Sequence, residues 1–117
     1  MKYYKELLVW KKSMELVKRV YVLLESLPKE EQYALADQMR RAVVSIPSNI
    51  AEGHERNSQK EFRQFLYIAR ASKAELETQI DIGVMLEYFK EDNIQEIREL
   101  MTEIGKMLNK LISLANN

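Results

Sequence analysis

Apolar residues recur in alternating steps of three and four along this chain, the period that lets an α-helix bury one face. The clearest run is Ile94, Ile97, Met101, Ile104, Leu108, Leu111 and Ala115, spaced like a coiled-coil seam. A second run, Trp10, Met14, Val17, Tyr21 and Leu24, lies beside a third, Val9, Leu16, Val20, Leu23 and Leu27. At ~100° per residue these two stripes cover an arc of roughly 200°. A surface helix needs an apolar arc of only about 100°. No stretch shows the period-two alternation of a half-buried strand. With 3 Gly and 2 Pro in 117 residues, a loop-rich or β-rich fold is disfavoured.

Four helices are expected, over about 5–26, 30–52, 58–88 and 94–115. Pro28 ends the first. The second has an apolar face of Leu35, Met39, Ala42, Val43, Ile46 and Ile50, with Gln38, Arg41, Ser45, Asn49 and Glu52 opposite. Pro47 removes a backbone donor inside it and is expected to kink it near Val43. Gly53 is the residue type a helix C-terminus prefers. Ser58-Gln59-Lys60-Glu61 reads as a capping box opening the third helix, and Asn93 with Glu96 reads as a cap for the fourth. The connections are short, so consecutive helices must be antiparallel neighbours. The fold class is therefore all-α: one antiparallel up-down-up-down four-helix bundle, a single domain of residues 1–117.

A chain of this length can bury a core without metals or disulfides, and it has no cysteine. There is no signal-type apolar region and no apolar run of membrane-span length. The expectation is a cytoplasmic protein with no membrane partner. The extra apolar arc on the first helix points to a homo-oligomer, because large exposed apolar patches are rare on monomers.

Formal net charge is zero, but the charge is not evenly spread. From Glu75 to Glu103 there are nine acids and two bases, Lys90 and Arg98. The assumed topology gathers Lys2, Lys5, Lys11, Lys12, Arg56, Lys60, Arg63, Lys106 and Lys110 at one pole. On the third helix Lys60, Arg63, Tyr67 and Arg70 fall on one stripe. Cations interleaved with an aromatic suit a phosphate backbone and a stacked base. Lys11, Lys12, Arg56, Lys60, Arg63, Tyr67 and Arg70 are thus the candidate nucleic-acid-binding residues, set against the plainer reading of a solvated helix face.

Arg41 and Asn49 on the second helix, with Ser72, Glu75 and Gln79 on the third, sit at core borders. They are candidates for an inter-helix polar network, since buried polar groups must be paired. Lys73 lies in the inward arc and must either snorkel or meet a carboxylate.

Catalytic signatures are missing. The single histidine, His54, has no Glu three residues before it, so the Glu-x-x-His pairs of di-iron bundles are not present. There is no HExxH, P-loop, GxGxxG or GxSxG pattern. The Arg that HEPN-type ribonucleases place upstream of their His is missing too; Pro47, Ser48 and Asn49 stand there. His54, next to Gly53 at a helix end, is expected to be exposed. No enzyme activity, cofactor or metal is expected.

Four segments carry a resemblance to a known family. They are Tyr4-Lys5-Glu6-Leu7-Leu8-Val9-Trp10-Lys11-Lys12-Ser13-Met14-Glu15-Leu16, then, most strongly, Gln38-Met39-Arg40-Arg41-Ala42-Val43-Val44-Ser45-Ile46-Pro47-Ser48-Asn49-Ile50-Ala51-Glu52-Gly53, then Glu61-Phe62-Arg63-Gln64-Phe65-Leu66-Tyr67-Ile68-Ala69 and Glu75-Leu76-Glu77-Thr78-Gln79. The chain resembles the four helix bundle proteins, bacterial proteins first met as reading frames in intervening sequences of 23S ribosomal RNA genes. The resemblance implies a ring-shaped homopentamer. It also implies kinship with the accessory variability proteins of diversity-generating retroelements, which engage a reverse transcriptase and RNA. Members are not known as enzymes. Where the family usually shows Gly-Ser-Leu after Ala69, this chain reads Ala71-Ser72-Lys73. The expected function is an oligomeric scaffold or binding module for structured RNA or a nucleoprotein. The competing expectation is a structural oligomer that binds a protein partner and no nucleic acid.

Overall fold

A computed structural model describes residues 3–115. Four α-helices follow a short 3-10 turn at Tyr4–Glu6: α1 (Leu8–Leu24), α2 (Leu35–His54), α3 (Gln59–Met85) and α4 (Glu91–Leu114). Each helix packs on its neighbours in sequence, and α1 against α4 closes the bundle. Cross-helix pairs confirm the antiparallel order. Lys12 meets Glu103 and Arg19 meets Glu96 between α1 and α4. Ser45 meets Ser72 between α2 and α3, and Arg98 meets Asp81 between α4 and α3. α3 has 27 residues, about 40 Å at ~1.5 Å per residue, and accounts for most of the 45 Å long dimension.

The ends differ from the sequence expectation where tertiary contacts intervene. The chain from residue 30 does not enter α2; Lys29–Glu31 forms a separate 3-10 turn. Gln32 explains this. Its amide donates to the carbonyls of Leu24 and Leu27 at 3.0 and 3.2 Å, capping the end of α1. Arg40 in turn donates to the Gln32 side-chain oxygen at 2.8 Å. A residue engaged this way holds the connection out of helical register, and α2 begins only at Leu35. α1 itself stops at Leu24, where Glu25, Ser26 and Leu27 tighten into bonds three residues back.

α3 ends at Met85, earlier than residue 88. Tyr88 N–H bonds Gly83 O at 2.8 Å and Glu87 N–H bonds Val84 O at 3.0 Å, the paired bonds of a Schellman motif. Glu87 occupies its left-handed position with φ 64°. The turn folds Phe89 over Gly83, where any Cβ would collide with the ring. α4 then starts at Glu91, ahead of the expected Asn93 cap. Its N-cap residue Lys90 makes no side-chain cap bond, and Glu91 and Asp92 fill the first turn, where negative charge suits the helix dipole.

The Ser58 cap forms, but the reciprocal bond of the expected capping box, from the Ser58 backbone N–H to Glu61, is not found among the described residues. The Ser58 hydroxyl accepts the Glu61 N–H at 3.1 Å and donates to the Glu61 carboxylate at 3.2 Å. Gly53 serves a different purpose from the expected C-terminal stop. It lies within α2, and a Cβ there would sit 2.5 Å from Phe65 Cβ, so its smallness lets α2 and α3 approach. α2 runs on through Pro47, which is buried.

The core is formed by one stripe of α1 (Val9, Leu16, Val20) with Met39, Ile46 and Ile50 of α2, Leu66, Leu76 and Ile80 of α3, and Ile94, Met101, Ile104 and Leu108 of α4. Full burial of each such side chain contributes about 1.5–3 kcal/mol. Of the other α1 stripe, Leu24 is fully buried and the remaining four residues lie at or near the surface. Met14 is 44% and Tyr21 41% exposed, while Trp10 and Val17 are half-buried.

Candidate functional site

The seven candidate cations and aromatics fall on different edges of the bundle. Arg63, Tyr67 and Arg70 lie along the α3–α4 seam. Arg63 donates to Ala115 O at 3.2 Å, so it caps the last turn of α4. Arg70 donates to Asn109 Oδ1 at 3.1 Å, and its guanidinium lies 4.9 Å from the centre of the exposed Tyr67 ring. Lys60 is exposed one turn before Arg63, and Lys106 and Lys110 are exposed on the same half of α4. Helix periodicity put the α3 residues in line; α4 supplies the polar partners that orient them.

The remaining three stand elsewhere. Lys12 pairs with Glu103 at 2.7 Å across the α1–α4 seam, which lies on the other side of α4. That hydrogen bond raises the Lys12 pKa above its ordinary value. Lys11 is exposed on α1. Arg56 is shared between Glu52, at 2.9 Å, and the Phe65 ring, 4.8 Å from its centroid. The Glu52–Arg56 pair had a local signal in its i,i+4 spacing. The Lys12–Glu103 pair, across most of the chain, had no local signal.

The polar candidates divide into two groups around a residue the sequence reading did not include. Ser45 Oγ accepts from Ser72 Oγ at 2.8 Å and from Asn49 Nδ2 at 2.8 Å, while Ser45 O accepts from the same amide at 2.7 Å. This joins α2 to α3. Gln79, 5% exposed, reaches Glu75 at 3.5 Å within α3, and its Oε1 has no partner among the described residues. Arg41 is exposed and shares no hydrogen bond with either group among the described residues. A serine on the polar side of α2 gave no sign of being the hub, because its partner depends on how α2 and α3 are registered.

Lys73 meets a carboxylate. Its ammonium lies 3.0 Å from Glu77 on the next turn, and its side chain is 15% exposed. The stem passes over Gly105 of α4, where a Cβ would come within 2.8 Å of Lys73 Cε. A glycine on the facing helix therefore makes room for lysine in the inward arc.

His54 is a correction. Its side chain is only 8% exposed, packed edge-to-face on Phe62 at 5.7 Å. The chain does not leave the helix at Gly53, so the imidazole is held against the first turn of α3. Among the described residues no group of three His, Asp or Glu could hold a metal ion. No helix of the described residues is long and apolar enough to cross a membrane.

Comparison with known proteins agrees with this architecture. No functionally curated protein matches the chain. A solved structure from Bacteroides thetaiotaomicron VPI-5482, a protein of unknown function from the S23 ribosomal protein family, superposes with a TM-score of 0.83. It is 28% identical, with 90% of this chain and 98% of that one covered. The family model of the 23S rRNA-intervening sequence proteins matches residues 5–110, and the chain belongs to that family.

Proposed function

We propose that this protein is a non-enzymatic, self-assembling helical scaffold that binds structured RNA or a nucleoprotein through the α3–α4 strip. The observation that carries the reading is the row Lys60, Arg63, Tyr67 and Arg70, with Arg70 stacked over Tyr67 at 4.9 Å. A guanidinium held on an aromatic is presented flat, ready for a phosphate, and the exposed ring offers a face to an unpaired base. The assembly is a homo-oligomer, a pentamer by family resemblance, with the exposed α1 stripe as contact between copies. Repetition of the strip around such an assembly multiplies the local field.

Fluorescence anisotropy with a labelled structured RNA across a salt series tests this. Binding is expected to weaken linearly on a log–log plot, with a slope of about 0.7–0.9 per phosphate contact. Reversing Lys60, Arg63 and Arg70 to Glu together is expected to abolish binding, with mass in solution and circular dichroism unchanged. Absence of binding at low salt removes the nucleic-acid reading.

One observation favours a second reading. Lys12 and Arg56 are already neutralised by Glu103 and Glu52, which leaves fewer free cations at this pole than composition implied. On that reading the oligomer holds a protein partner, and the triple reversal has no RNA affinity to remove.

A further inference from the structure

On the α3–α4 seam two facing stretches carry no acid. There is no Asp or Glu from Phe62 to Ala74 on α3, or from Ile104 to Ala115 on α4. Two bonds join these stretches, from Arg63 to the Ala115 carbonyl and from Arg70 to Asn109 Oδ1. Tyr67 stands between the arginines on α3 and is 42% exposed.

The polar groups beside Tyr67 share one hydrogen-bonding character. Arginine and lysine side chains donate and cannot accept. Arg70 lies 4.9 Å from the Tyr67 ring centre and uses only Nη1 on Asn109. Its Nε and Nη2 have no partner among the described residues. Asparagine can donate and accept, but its oxygen must face the Arg70 donor, which fixes the amide the other way round. Asn109 Nδ2 has no partner among the described residues, and Asn109 is exposed. Lys106 and Lys110 on either side of it are exposed as well.

A flat ligand placed against Tyr67 therefore meets donors along its edge. Guanine fits that edge, because its O6 and N7 are adjacent acceptors matched to an arginine fork. Adenine sets an amino group beside N7, and cytosine presents an amino group, so each would bring donor against donor. Uracil brings O4 with no second acceptor next to it. Inside a duplex the faces of a base are covered by its stacked neighbours, so only an unpaired base can reach the ring.

We propose that this strip selects an unpaired guanine in an RNA strand. The base overlaps the Tyr67 ring, its N7 and O6 accept from Arg70 and the Asn109 amide, and Lys60, Lys106 and Lys110 take the flanking phosphates. The inference rests on the nucleic-acid reading of the strip and adds to it the base that is read.

The test uses the full chain and fluorescence anisotropy with a labelled hairpin RNA whose uridine loop carries one central guanine. The same hairpin is made with inosine, adenine or 7-deazaguanine at that position. Guanine and inosine share O6 and N7 and are expected to bind alike. Adenine, and 7-deazaguanine, which lacks N7, are each expected to bind at least about fivefold more weakly. Arg70→Met, at an exposed position, is expected to erase that preference. Lys60→Met is expected to weaken all four hairpins equally, to lower the salt slope by about one contact and to keep the preference. Equal binding of the four hairpins, or a preference that survives Arg70→Met, overturns the base selection while the strip still binds RNA. Free GMP binding as tightly as the guanine hairpin makes the ligand a nucleotide and overturns it too. Failure of every hairpin to bind removes the nucleic-acid reading and this inference with it.

Discussion

Single residues in this bundle carry local conflicts that the rest of the fold overrides. Glu87 sits at φ 64°, a conformation that costs an L-residue roughly 1–2 kcal/mol. It is tolerated because the turn it makes docks Phe89 on Gly83. Glycine removes that strain but loses about 0.5–1 kcal/mol of chain entropy on ordering. Glu87→Gly is therefore expected to stabilise the protein by about 0.5–1 kcal/mol, read as a higher urea midpoint with an unchanged slope. Tyr88, one residue on, donates to Glu31 at 2.8 Å, and that bond raises its pKa above the ordinary 10.0. Lys12 beside Glu103 is raised above 10.5. Both groups keep their protons longer folded than unfolded, so their contribution is complete below about pH 10 and is lost as pH rises beyond it. Melting temperatures measured from pH 8 to pH 11 are expected to fall over the alkaline limb. Tyr88→Phe is expected to flatten that limb, although it lowers stability at pH 8.

At the scale of elements, the α2–α3 pair is the most closely built. Gly53 admits Phe65 at one end, and the Ser45–Ser72 bond fixes the middle. Ser45→Ala leaves the Asn49 amide with one acceptor fewer and the Ser72 hydroxyl without its partner, a cost of about 1–3 kcal/mol. Ser72→Ala breaks the same bond from the other side. The double variant is therefore expected to lose less than the sum, with a coupling of at least about 0.5 kcal/mol in a denaturation cycle. A strictly additive cycle would mean that the bond does not set the register. On the opposite side, Lys73 shows an element adapting to its neighbour. Its stem occupies the space left by Gly105, and its charge is met by Glu77.

The whole molecule has two kinds of surface that a stable bundle does not require. One is the α1 stripe of Trp10, Met14, Val17 and Tyr21, left at or near the surface although the other stripe completes the core. If copies meet there, Met14→Lys with Tyr21→Glu is expected to convert the assembly to a 13.8 kDa monomer that keeps its helical circular dichroism. Light scattering after size exclusion reads this directly, and a wild-type protein already monomeric at micromolar concentration would rule out the contact. The other surface is the separation of charge along the long axis. Arg98 between Asp81 and Glu91, and Arg19 between Glu15 and Glu96, offset part of the acidic half. Lys60, Lys106 and Lys110 at the other end have no acidic partner within ion-pair distance among the described residues.

Which of the two α1 stripes turns to the core was decided by packing; the sequence by itself determined the class, the number and order of helices, and which stripe of α2, α3 and α4 faces inward. Those follow from periodicity and short connections, which act over a few residues and need no knowledge of the partner surface. The Ser58 cap was legible for the same reason. Only the tertiary structure decided the late start of α2, through Gln32 capping α1, and the burial of His54 against Phe62. It also decided the role of Ser45 as hub, and the division of the basic residues between two sides of α4. Each depends on which groups far apart in the chain come within a few ångströms, and that is set by how the helices register against one another.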